Sequence, residues 1–311
     1  MRAISFLPFL CLIACSSQGL DSSYNGSSSG KGASSSGGSS GLLGGNTDDE
    51  GTGSPAAACS DDAKLVYVLS NAGDLYAFDP AALKFTKRGQ LDCNASPLAL
   101  PNSMAIARDG IAWVNYSDGT LFRVQTSNAK CESTSFVPGQ SGVGKFGMAF
   151  STNGQGSETE TLFVVGIDDG SLTGQGGKGL ARIDLGTMKL TPVGDFSGAL
   201  KGFGAELTGT GDGRLYGFFT TQPSATLSGI DKASGSTSDP QSLAGVNTGR
   251  AWAFSFWGGD FWFYTSDGFG ASRVTLLRSA DKSIKVVMPD VGGFQIVGAG
   301  VSTCAPLTSP K

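Results

Sequence analysis

Across residues 102–137 the chain alternates short apolar runs with polar turns. Residues 104–107 (Met-Ala-Ile-Ala), 111–114 (Ile-Ala-Trp-Val) and 121–124 (Leu-Phe-Arg-Val) are apolar runs. Asp109-Gly110 and Ser117-Asp118-Gly119 interrupt them, and a further strand is predicted over residues 131–137. Short runs bounded by Asp-Gly read as antiparallel strands joined by tight turns, because these residues accept the backbone angles a turn needs. Four such strands in succession outline one blade of a β-propeller.

The unit repeats along the chain. A strand with an aromatic residue at its third position recurs at Tyr67, Trp113, Phe163, Tyr216 and Trp262. Polar turns follow, at Asn71-Ala72-Gly73, Ser117-Asp118-Gly119, Asp168-Asp169-Gly170, Thr220-Thr221-Gln222 and Ser266-Asp267-Gly268. Another apolar strand comes next at residues 75–78, 121–124, 180–183, 227–230 and 274–277. A more polar outer strand closes the unit, as at residues 84–87, 189–191 and 284–288. The spacing, roughly 45 residues with insertions, is that of a four-stranded blade. Small or glycine-rich inner strands begin the later units at residues 104–107, 148–151, 207–210 and 253–256. The first unit lacks one, and the chain ends with a spare at residues 296–304. The predicted fold is therefore all-β: a five-bladed β-propeller whose C-terminal strand completes the first blade, leaving no broken seam. Six or seven blades would need strands that the insertions do not supply, and the competing architecture is a β-sandwich or β-solenoid.

Composition narrows the chemistry. Glycine is abundant (48 residues), as tight turns require, and the net charge of −4 points to no particular partner. No basic run is interleaved with aromatics, so nucleic acid is not an expected partner. The chain has no histidine. That excludes histidine general bases, Ser-His-Asp and Cys-His catalysis, and histidine-ligated zinc.

The N-terminal part reads differently. Arg2 precedes a mostly apolar stretch over residues 4–14, which is too short to span a bilayer. Leu12-Ile13-Ala14-Cys15 resembles the lipobox of bacterial lipoproteins. That resemblance implies a signal peptide over residues 1–15, lipidation of Cys15 (palmitate among its acyl chains) and anchoring in the cell envelope. Ser16 next to the cysteine goes with outer-membrane delivery in enteric bacteria. Residues 16–58 are rich in Ser and Gly and hold little to bury, so they are expected to remain a disordered linker. About forty such residues reach roughly 35 Å on average. The propeller is expected over residues 59–306, with a short tail at 307–311.

Four cysteines remain beyond the signal. Cys59 precedes the first strand and Cys304 follows the last, so ring closure predicts a Cys59–Cys304 disulfide. Cys93 and Cys131 follow and open outer strands of adjacent blades and are expected to pair.

Loops into the inner strands would gather Asn102, Lys145, Phe146, Glu206, Arg250 and Trp252 near the axis on one face. Mixed charge with two aromatic rings suits a small polar ligand or a glycan. The competing reading has Glu206, Lys145 and Arg250 neutralising one another and Trp252 in the core. Asp168-Asp169-Gly170 lacks the spaced oxygens of a calcium loop and reads as a turn. Gly209-Thr210-Gly211-Asp212-Gly213 opens no helix and reads as a hairpin rather than a phosphate loop. No cofactor or metal is expected.

Residues 112–119, 205–217 and 297–304 resemble segments of myxobacterial β-propeller lipoproteins that carry no assigned activity. The resemblance implies fold and address only. The expectation is a non-catalytic interaction or scaffold module of the cell envelope, with envelope proteins or glycan as partners. An enzyme acting through Glu206 or aspartates is the least favoured alternative.

Overall fold

The computed structural model describes residues 59–167, 174–249 and 251–310. The signal, Cys15, the linker, Asp168-Asp169-Gly170 and Arg250 lie outside the described residues. The domain is a five-bladed β-propeller, each blade an antiparallel four-stranded sheet.

Blade 1 is β1 (Val66–Ser70), β2 (Asp74–Asp79) and β3 (Lys84–Gln90), with β20 (Ile296–Val301) as its inner strand. Blade 2 is β4 (Pro101–Ile106), β5 (Ile111–Tyr116), β6 (Leu121–Gln125) and β7 (Cys131–Ser133). Blade 3 is β8 (Lys145–Thr152), β9 (Glu160–Ile167), β10 (Leu180–Asp184) and β11 (Lys189–Gly194). Blade 4 is β12 (Ala205–Gly209), β13 (Leu215–Phe219), β14 (Thr226–Ile230) and β15 (Thr237–Ser242). Blade 5 is β16 (Ala251–Trp257), β17 (Asp260–Ser266), β18 (Arg273–Leu277) and β19 (Ile284–Met288).

The ring closes as expected. β20 pairs antiparallel with β1, Val66 opposite Val301 and Val68 opposite Ala299. A Cys59–Cys304 disulfide fastens the two ends, with Cα atoms 5.6 Å apart. The second disulfide, Cys93–Cys131, ties the segment leaving blade 1 to the outer strand of blade 2.

Five apolar clusters hold the ring, one between each pair of neighbouring blades. The recurrent aromatic explains the repeat. Tyr67 faces blade 2, Trp113 blade 3, Phe163 blade 4, Tyr216 blade 5 and Trp262 blade 1. Each ring therefore packs against the blade that follows it. Full burial of a large apolar side chain contributes about 1.5–3 kcal/mol, so the position is held by packing.

Inner strands are crowded. A Cβ on Gly147 would lie 2.2 Å from the Ala205 carbonyl oxygen, and one on Gly209 would lie 2.0 Å from that of Phe150. Only glycine permits neighbouring inner strands to approach this closely.

One strand differs from expectation. The outer strand of blade 2, predicted to run to Val137, stops at Ser133. The Thr134 hydroxyl donates to the Leu121 carbonyl, 2.6 Å, and Phe136 turns inward to pack edge-on against Phe146.

The domain has two unlike faces. The inner strands start at the upper face, where β5–β6 and β17–β18 also turn. They end at the lower face, where Cys59 and Cys304 bring in and release the chain.

Candidate functional site at the two ends of the axis

Asn102 and Ser103 lie second and third in β4, Lys145 and Phe146 open β8, Glu206 lies second in β12, and Trp252 second in β16. The starts of the inner strands bring these residues to one end of the axis. Their burial divides them. Asn102, Lys145 and Trp252 are half-buried at the mouth, whereas Phe146 and Glu206 are buried beneath it.

Phe146 corrects the expectation of a ligand-facing ring. Its side chain is fully buried in the cluster between blades 2 and 3. Its backbone is what meets the mouth. The Phe146 N–H donates to Asn115 Oδ1, 3.0 Å, and its carbonyl accepts from Asn102 Nδ2, 3.0 Å. Asn102 Nδ2 also reaches Asn115 Oδ1 at 3.3 Å. Asn102 thus ties the start of blade 2 to that of blade 3.

Glu206 is 4% exposed and lies across the axis from Ser103. The Ser103 hydroxyl donates to its Oε2, 2.7 Å, and accepts the Met148 N–H, 3.2 Å. Burial pushes the Glu206 carboxyl up to about 8, while the Ser103 hydrogen bond and the nearby Lys145 charge pull it down less. At neutral pH the group is therefore largely protonated and neutral. It acts as a hydrogen-bonded plug. The expected balance among Glu206, Lys145 and Arg250 is thus weakened on the Glu206 side, since a neutral carboxyl needs no cation. Ser103 was missed by sequence reasoning. Its partner is 103 residues away, and nothing local marks it.

The lower end of the axis holds a second carboxyl, half-buried, that sequence reasoning also missed. Glu160 begins β9. One oxygen accepts the Arg108 backbone N–H, 2.8 Å, and the other accepts the Thr303 hydroxyl, 2.7 Å. The Arg108 guanidinium reaches Thr303 Oγ1 at 3.2 Å and Cys59 Sγ at 3.6 Å. Burial raises the Glu160 carboxyl, and the two hydrogen bonds and the Arg108 charge oppose that rise. The cluster joins blades 2 and 3 to the disulfide seam. A signal did exist: Arg108 and Glu160 occupy charged positions at the lower turns of adjacent blades.

Gly209 ends β12 and residues 210–213 form its turn into β13, not a phosphate loop. Thr210 and Asp212 there bond one another and the backbone and side chain of Arg214. Among the described residues, no group of three or more Cys, Asp or Glu side chains is gathered in a way that would hold a metal ion. No helix among them is long and apolar enough to cross a membrane.

No family model matches the chain, and no curated protein matches it. Solved structures do. The Dos1 propeller is 12% identical with a TM-score of 0.41, covering 72% of this chain and 56% of that one. The chain thus spans little more than half the length of that structure. Kuenenia stuttgartiensis hydrazine synthase is 15% identical with a TM-score of 0.42, covering 79% and 71%. A luciferin-regenerating enzyme is 12% identical with a TM-score of 0.45, covering 77% and 76%.

Proposed function

We propose that this chain is a lipid-anchored cell-envelope protein that presents its propeller as a non-catalytic interaction module. The observation that carries the reading is the contrast between the domain's faces. Cys59, through which the chain from Cys15 enters the domain, sits on the lower face, locked to Cys304. Large exposed apolar side chains sit on the upper face: Leu98 (92% exposed) and Leu100 (61%) before β4, and Phe269 (87%) between β17 and β18. Attachment through Cys59 leaves the upper face available to a partner, and Leu98 and Leu100, two residues apart, are apolar side chains presented there. Two disulfides favour an exported chain. The Glu206 plug supports a non-catalytic role, because its carboxyl is shut away from any substrate.

Site-specific photocrosslinking in intact cells tests the interaction. A crosslinker at Leu98 or Phe269 is expected to capture one discrete envelope partner, and one at Asp109 on the lower face is expected to capture none. Equal capture from both faces, or none from the upper face, would sink the reading. Anchoring has its own readout. Cys15→Ala should abolish acyl labelling and release the protein from membranes; unchanged fractionation would remove the lipid anchor.

A further inference from the structure

A groove of about 430 Å³ opens on the upper face, away from the axis, at blade 4. Its walls are the loop between β11 and β12, the turn between β13 and β14, and the outer strand β15. We infer that this groove is a binding site for a short, uncharged saccharide.

Three observations select that ligand. First, none of the described residues that line it is charged; Ser and Thr hydroxyls, one amide and a few apolar groups make up their polar and apolar surface. Such a lining offers no ion pair to a phosphate, a carboxylate or an amine, and so favours a neutral ligand. Second, the lining is amphipathic in the way a pyranose ring is. Phe203 is half-buried, its inner part packed on the cluster between blades 3 and 4, beside Leu200 and Pro223 in the groove wall. An aromatic ring with an exposed part suits the C–H face of a sugar. Opposite chemistry is at hand: among the described residues, no hydrogen bond engages the side chains of Gln222, Ser224 or Ser242. Polar groups ready to donate and accept are what sugar hydroxyls require. Third, the volume lies in the range of small-molecule sites, about 300–1,000 Å³.

An extended peptide is the main rival, because β15 is an outer strand with a free edge. Two features close that edge. Pro240, within β15, has no N–H to offer a neighbouring strand. The Thr237 N–H is already given to Ser197 Oγ at 2.9 Å. The groove is therefore built for a ligand read by side chains.

This site is separate from the axial mouth, and its occupancy depends neither on tethering nor on the partner sought at Leu98 and Phe269. Saturation-transfer NMR on the full chain with maltose, cellobiose and chitobiose tests it. Transfer to the ring C–H protons of at least one of the three is expected. Gln222→Ala, at an exposed position, should weaken that binding about tenfold. Phe203→Leu should weaken it comparably, and Lys285→Ala on the outer strand of blade 5 should not. Absence of transfer from all three sugars overturns the inference. So does transfer that survives Gln222→Ala and Phe203→Leu, or that Trp252→Ala removes in their place, or binding of a proline-rich peptide where the sugars fail.

Discussion

Glu206, buried, and Glu160, half-buried, sit at opposite ends of one axis, and the protein treats them differently. Glu206 has one hydrogen bond, from Ser103, and its carboxyl is pushed up to about 8. Glu160 has two, from the Arg108 N–H and the Thr303 hydroxyl, with the Arg108 charge beside it. Burial penalises the charged form at both ends; the upper end offsets it with the Ser103 hydroxyl and the nearby Lys145 charge, the lower end with two hydrogen bonds and the Arg108 charge. The upper carboxyl is a neutral plug. The lower one is a joint that links two blades to the disulfide seam. The difference teaches that a buried carboxylate near a propeller axis is not in itself a sign of chemistry; its partners decide what it does.

The largest effect should come from the lower end. Cys59→Ser with Cys304→Ser opens a loop closed across 245 residues. The loss is expected to be about 2–5 kcal/mol, read as a drop in the midpoint of denaturant unfolding. Breaking Cys93–Cys131, which closes 38 residues, should cost less. A larger loss from the second pair would mean that the seam is held mainly by strand pairing between β20 and β1.

Next comes the pH dependence. An unfolded glutamate titrates near 4.5, and Glu206 in the folded protein near 8. Between these values the native state holds a proton that the unfolded state has lost. Stability from this group is full below about 4.5 and falls by about 1.4 kcal/mol per pH unit until it levels off above about 8. Glu206→Gln keeps the neutral shape and removes the titration. At pH 9 it should be more stable than the parent by on the order of a few kcal/mol, and at pH 4 about equal. Thermal melts across that range check it; an unchanged slope would move the titration elsewhere, Glu160 first. Glu160→Ala should have the opposite sign. It strands the Arg108 N–H and the Thr303 hydroxyl and is expected to destabilise by about 2 kcal/mol at neutral pH. If both substitutions shift stability the same way, the contrast between the two ends fails.

Much of this architecture was readable in the chain. The recurrent aromatic at Tyr67, Trp113, Phe163, Tyr216 and Trp262 was visible because every blade must pack the same way on the next. The missing first inner strand and the spare last one implied closure, and closure implied Cys59–Cys304. The site was less legible for a physical reason. An inner strand is buried on both sides, so β8 loses the alternation that separates core from solvent. Phe146 beside Lys145 therefore read as a pocket ring when it is core. Ser103–Glu206 and Arg108–Glu160–Thr303 join residues more than fifty positions apart, at distances that only the curvature of the ring sets. The early end of β7 also had no warning, because Phe136 leaves the strand for a cluster formed with the next blade.

The smallest expected effect is the one that separates the two faces most cleanly. Leu98, Leu100 and Phe269 are the largest exposed apolar side chains of the upper face and belong to none of the five clusters. Replacing Leu98 and Leu100 with serine should leave stability within about 0.5 kcal/mol of the parent, because surface changes away from packed features do little. The same number of core changes, Tyr67 and Trp113 to alanine, would not leave a folded ring. A near-zero result in the melt joined to loss of the crosslinked partner from membrane pull-downs would mean that the protein keeps these side chains exposed for a partner rather than for its own fold. A loss above about 1 kcal/mol would mean that they brace the loops, and the upper face would then differ from the lower in shape but not in purpose.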